Sequence, residues 1–118
     1  MGPAPGAPLT ELAGTKWRVV LVNGRPTPAT GDYSMQFETD RIGARFGCNG
    51  MGGRYRLAVD LLTVSDLAQT LMGCAEPANT FESQGAAVLG QPAKVGFASD
   101  ERVFLSNAAG SIVLQPVP

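Results

Sequence analysis

The chain predicts an α+β fold dominated by β-structure: a strongly curved antiparallel sheet, forming a partly open barrel, covered by one helix. Three observations carry that expectation. Short runs with period-two alternation of apolar and polar residues recur from Lys16 to Gln115, each bounded by turn residues. Only one stretch, from Phe81 to Leu89, has helical spacing. Runs of strands interrupted once by a helix do not suit a parallel α/β sheet, which alternates the two.

The first run is Lys16–Val22, rich in β-branched and aromatic residues and ended by the turn pair Asn23-Gly24. Period two places Trp17, Val19 and Leu21 on its inner face. Residues 25–32, with Pro26 and Pro28, read as loop. Ser34–Glu38 then turns Met35 and Phe37 inward, and Thr39-Asp40 connects it to Arg41–Phe46, whose Ile42, Ala44 and Phe46 supply the matching face. This is the clearest hairpin in the chain.

The segment Gly47-Cys48-Asn49-Gly50-Met51-Gly52-Gly53 holds four glycines in seven positions. Glycine weakens both strand and helix, so this segment reads as irregular turn, open to positive φ or close backbone approach. Alternation resumes at Arg54–Val59 with Tyr55, Leu57 and Val59 inward, and Asp60 turns the chain into Leu61–Ser65. Glu76-Pro77 opens the helix, with the acid favoured by the dipole. Phe81, Gly85, Val88 and Leu89 form its apolar stripe, and Gly90 and Pro92 close it. Three strands follow, over residues 93–99, 102–106 and 111–115.

With 118 residues and 44% hydrophobic composition, the chain suits one domain with one core. Residues 1–10, rich in proline and glycine and lacking the charged and apolar regions of a signal peptide, read as a disordered lead-in or linker. Residues 11–118 form the domain. No run approaches the apolar length of a membrane-spanning helix. A formal net charge of −1 argues against a nucleic-acid partner and against attraction to an anionic membrane. Arg41, Arg45, Arg54 and Arg56 read as solvated strand faces, with a phosphate or carboxylate site as the alternative.

The chain has no histidine, which removes the commonest metal ligand and general base. No zinc ligand set and no nucleotide-binding loop is present in the sequence, so no metal, no cofactor and no enzymatic activity are expected. Cys48 and Cys74 are the only cysteines. They are a candidate disulfide, with two buried free thiols as the alternative. A catalytic cysteine lacks a histidine to activate it. Trp17 reads as core.

Leu12-x-Gly14-x-x-Trp17, Gly43, Gly47-Cys48-Asn49, Gly53-x-Tyr55, Thr70-x-x-x-Cys74, the 81–89 helix and the strands around Leu105 and Ile112 together resemble the META domain, or HslJ-like, family. The match runs from Leu12 to about Leu114, and Met51 and Gly52 depart from the family pattern. The resemblance implies a small bacterial envelope or secreted domain, periplasmic or outer-membrane-associated. It also implies links to heat-shock and stress, and it favours oxidised cysteines. Gly47, Asn49, Gly53, Arg54, Tyr55 and Thr70 are the candidate binding rim, each with a structural alternative. The expected function is a non-catalytic, monomeric binding or structural module whose partner is a protein, a lipid or a small apolar ligand. A small secreted protease or lysozyme inhibitor is the alternative.

Overall fold

The computed structural model describes residues 12–117, so the lead-in expected over residues 1–10 lies outside the described residues. The elements run β1 (Thr15–Val22), β2 (Arg25–Pro26), β3 (Tyr33–Phe37), β4 (Arg41–Phe46), β5 (Gly50–Ala58), β6 (Leu61–Gln69), α1 (Ala78–Leu89), β7 (Ala93–Phe97), β8 (Val103–Asn107) and β9 (Gly110–Pro116). All strand pairings are antiparallel, in the order β1-β3-β4-β5-β6-β7-β8-β9. β1 also pairs with β9, so the expected curvature is carried to closure as an eight-stranded barrel. The two-residue β2 is appended to the end of β1.

The ring is uneven. β6 and β7 meet over two residue pairs only, Leu61–Lys94 and Leu62–Ala93, whereas β5 and β6 form a long hairpin. The chain leaves β6, forms α1 and returns as β7, so the helix belongs to the gap where the ladder is shortest. α1 contacts β1, β4, β6, β8 and β9, strands from around the ring. Its predicted stripe of Phe81, Gly85, Val88 and Leu89 is buried. Phe46 packs where Gly85 has no side chain, and Tyr33 meets Phe81 edge-on with ring centroids 5.7 Å apart. Asn107 Nδ2 donates to the Val88 carbonyl at 2.9 Å and ties the end of the helix to the β8–β9 turn.

The hairpin β3–β4 has the faces that alternation predicts, with Met35, Phe37, Ile42, Ala44 and Phe46 all buried. Trp17 is in the core, its indole N–H satisfied by the Thr15 hydroxyl at 2.8 Å. Four expectations are corrected. A β-bulge between Val19 and Leu21 shifts the phase of β1, so Val22 rather than Leu21 completes the buried set. Val59 lies in the β5–β6 turn at positive φ and is 83% exposed, because the alternation of β5 ends one residue earlier. β6 continues to Gln69, past the bulge that accommodates Asp66. The glycine segment is not irregular turn beyond Asn49: Gly50, Gly52 and Gly53 are strand residues of β5, paired with β4 on one side and following β6 on the other. Tight cross-strand packing overrides glycine's low β-propensity here. The predicted acid at the helix start is Glu76, just outside α1, whose carboxylate accepts from the Thr80 backbone N–H and hydroxyl. Those bonds hold its pKa below the usual range.

On an exposed helix, Gly→Ala stabilises by about 1 kcal/mol. At Gly85 the added methyl would overlap the Phe46 ring. We therefore expect Gly85→Ala to lose about 1–3 kcal/mol in denaturant unfolding. A midpoint equal to or above that of the parent protein would show that the helix does not seat on Phe46.

Candidate functional site

The cysteine segments meet at the end of the barrel where β5 begins, β6 ends and α1 starts. Cys48 and Cys74 are joined as a disulfide, with their Cα atoms 6.1 Å apart. Their separation of 26 residues corresponds to about 3.5 kcal/mol of loop-closure entropy removed from the unfolded chain. The bond fastens the loop at residues 70–77 to the segment entering β5.

Between the two cysteine segments lies Asn49, only 2% exposed. Its backbone N–H donates to Glu82 Oε1 at 2.8 Å and its Nδ2 to Glu82 Oε2 at 3.0 Å. The same Nδ2 donates to the Met72 carbonyl at 3.1 Å and faces Cys74 Sγ at 3.3 Å. Its Oδ1 accepts from the Met72 N–H and the Thr70 hydroxyl, both at 2.8 Å. The Thr70 hydroxyl in turn accepts from the Gly50 N–H at 3.2 Å, and the Thr70 N–H donates to the Gly50 carbonyl. One buried amide thus holds three segments of chain. Glu82, 6% exposed on α1, has no basic group within 4 Å among the described residues and is satisfied by Asn49 instead.

This clamp fixes the backbone of residues 70–74 while leaving two apolar side chains outside. Leu71 is 87% exposed and Met72 61% exposed. A loop carrying two large exposed apolar groups while its own backbone is bonded at Thr70 and Met72 and covalently held at Cys74 presents them in one geometry. Neither residue was singled out by periodicity, because neither belongs to a helical or strand pattern. The signal in the sequence was their position between Thr70 and Cys74.

The predicted rim residues do not form one surface. Asn49 and Thr70 meet at the clamp, with Gly47 beside it at φ +96°, a backbone region favouring glycine, where a Cβ would overlap the Tyr33 phenol and Ala78. Gly53 is buried at the β5–β6 bulge, where a Cβ would come within 2.6 Å of the Ser65 carbonyl oxygen. Its φ is not positive, and what crowds it is β6 rather than the Thr70–Cys74 loop. Arg54 and Tyr55 lie farther along β5, where Arg54 is exposed beside Arg41 and the Tyr55 hydroxyl donates to the Glu38 carbonyl at 2.6 Å. Burial, aided by the charge of Asp40, raises the Tyr55 pKa above its ordinary value, and burial alone raises that of Tyr33. Among the described residues, the sulfurs of Cys48 and Cys74 and a Glu82 oxygen fall within 4.8 Å of one another, but the disulfide occupies both sulfurs.

Two substitutions test the clamp. Asn49→Ala keeps the backbone N–H bond to Glu82 Oε1 but takes the side-chain partner from Glu82 Oε2, the Thr70 hydroxyl and the Met72 N–H, and should cost about 2–4 kcal/mol. Glu82→Gln is nearly isosteric yet puts an NH₂ group against one of two N–H donors from Asn49, and should cost about 1–3 kcal/mol. Chemical denaturation of both variants checks this, and a Glu82→Gln protein as stable as the parent would mean that the carboxylate is not holding Asn49. At Gly53, alanine should destabilise by more than the ~1 kcal/mol it can add at a compatible glycine site. A thermal midpoint that did not fall would show that the bulge opens easily.

The barrel superposes on an NMR structure with a TM-score of 0.78 at 24% identity, covering 90% of this chain and 92% of that one. A second NMR structure, of a protein from Burkholderia xenovorans, matches with a TM-score of 0.70 at 21% identity, covering 97% of this chain and 88% of that one. At these identities the likeness is one of fold. No curated protein matches the chain. The family model of the META domain matches residues 10–116, nearly the whole sequence. The chain belongs to the META domain family.

Proposed function

We propose that this META domain is a non-catalytic binding module, acting outside the cytoplasm, whose contact element is the clamped loop bearing Leu71 and Met72. The observation that carries the reading is the contrast within that loop: its backbone is held by Asn49 and the disulfide, while two large apolar side chains face solvent. Pre-organising an exposed element removes ordering entropy that a partner would otherwise have to overcome, which is how rigid binding loops gain affinity. Exposed apolar groups on a small domain mark a contact surface when they are held together rather than scattered.

The chemistry of the chain supports a binding role over a catalytic one. It has no histidine, and both thiols are consumed by the disulfide, so neither is a nucleophile while that bond is intact. A disulfide on which the clamp relies is supported by an oxidising compartment. No helix among the described residues is long and apolar enough to cross a membrane. The envelope or secreted setting and the stress association that the family resemblance implies belong to this reading.

The inhibitor reading draws on the same loop, since a disulfide-braced segment with exposed Leu71 and Met72 has the form of an element that enters a protease cleft. Both readings make one demand of the variant Leu71→Ser/Met72→Ser. Neither side chain packs in the core, so its unfolding midpoint should stay within about 0.5 kcal/mol of the parent. Its saturable binding, measured by pull-down from envelope extract and by inhibition of a protease and lysozyme panel, should fall by about tenfold or more. Partner capture without inhibition selects the binding module; inhibition lost with the variant selects the inhibitor. Undiminished capture by the variant would sink the loop as the contact element.

A further inference from the structure

The near-neutral net charge conceals a segregation that appears only when the strands are placed side by side. In the contiguous strands β1, β3, β4 and β5, the outward-facing positions of β1, β4 and β5 carry Lys16, Arg18, Arg41, Arg45, Arg54 and Arg56, six of the nine basic residues of the chain. None of these four strands contains an acidic residue. The acids near this face, Asp32, Glu38 and Asp40, sit in the turns at its ends. Arg45 pairs with Asp32 at 3.7 Å, and Arg18 donates to the Pro28 carbonyl. Lys16, Arg41, Arg54 and Arg56 are exposed, and none has a carboxylate within 4 Å among the described residues.

Register sharpens the pattern. Arg41 stands directly opposite Arg54 across the β4–β5 ladder, a like-charge pairing, with Glu38 across from Arg41 on the other side at the β3–β4 turn. The next outward pair is Gly43–Gly52, and the one after it is Arg45–Gly50. The centre of the face is therefore bare backbone with cations on either side, roughly 6–7 Å away along the strands. A trough of about 550 Å³ opens there, with Lys16, Gln36, Thr70 and the paired Arg45 and Asp32 around Gly43 and Gly50. Thr70 joins this trough to the exposed Leu71–Met72 loop.

We propose that this outer face is a docking surface for a bilayer bearing anionic phosphate headgroups, with Leu71 and Met72 as the adjoining apolar contact; the second clause rests on the loop reading above. Each of β3, β4 and β5 is paired on both sides, and β1 is paired with β3 and β9, so the face offers no free row of backbone donors and acceptors. An extended peptide lying across it would gain no ladder hydrogen bonds, whereas headgroups are recognised by charge alone. Cations beside exposed apolar groups is the arrangement by which a peripheral domain holds an anionic membrane surface.

The test is co-sedimentation of the full chain with phosphatidylcholine vesicles, with and without about one third phosphatidylglycerol, at low and high salt. Binding is expected only to the anionic vesicles and should weaken with salt. Arg41→Gln/Arg54→Gln removes the like-charge pair, so the fold should persist by circular dichroism while binding falls about tenfold or more. Absence of binding to anionic vesicles, equal binding to neutral ones, or full binding by the double glutamine variant would each overturn the proposal. So would retention of acidic proteins or nucleic acid by this face in place of vesicles. Leu71→Ser/Met72→Ser separates the two readings. If it binds anionic vesicles as the parent does, the basic face stands and the loop's part in membrane contact fails. If vesicles never bind but the loop variant still loses its protein partner, the loop stands and this inference fails.

Discussion

The structure of the candidate site depends on one buried amide. Asn49 is almost wholly removed from water, and every polar atom of its side chain is bonded across chain separations of 21 to 33 residues. Burying an amide without partners costs several kcal/mol, so the arrangement is stable only if all the partners arrive together. They come from the end of β6, from the loop before Cys74 and from α1. The orientation of the helix, the path of the loop and the start of β5 are consequently one condition. Glu82 fits the same logic, because a carboxylate buried on a helix beside a hydrophobic core is tolerated when two N–H donors meet it.

The disulfide and the amide clamp act on different states. Linking Cys48 to Cys74 restricts the unfolded chain, while the hydrogen bonds of Asn49 select among folded arrangements of the loop. Together they let Leu71 and Met72 remain exposed without the loop collapsing to bury them. The barrel supplies the base for this. Its shortest seam, between β6 and β7, leaves room for α1, and the helix brings Glu82 to the end of the barrel where the cysteines lie.

Local pattern was sufficient for much of the fold. Met35, Phe37, Ile42, Ala44 and Phe46 alternate strictly and are buried as alternation requires. Phe81, Gly85, Val88 and Leu89 lie on one helical stripe and face the core. The pattern failed where two strands disagree in length. The bulge after Val19 exchanges Leu21 for Val22, and the second bulge places Gly53 against the Ser65 carbonyl. A bulge is a property of the pair, so one strand read alone does not contain it. The glycine segment misled for a related reason: glycine is a poor strand former in isolation, but three of them lie in β5, where neighbouring chains pass close.

By itself the sequence determined the class of fold and the hairpin and helix faces, because each is written in residue type and short-range spacing, while it left Cys48 and Cys74 open between a disulfide and two free thiols. Only the tertiary structure decided that the sheet closes through β1 and β9, that Glu82 is the partner of Asn49, and that six cations share one face. Those features arise from register between segments far apart in the chain. Glu82 looks like an ordinary solvent-facing helix residue until the segment around Asn49, 33 positions away, supplies its donors. The basic face is likewise diluted by acids elsewhere in the linear composition, and it becomes a surface only when antiparallel pairing aligns the outward positions of β1, β3, β4 and β5.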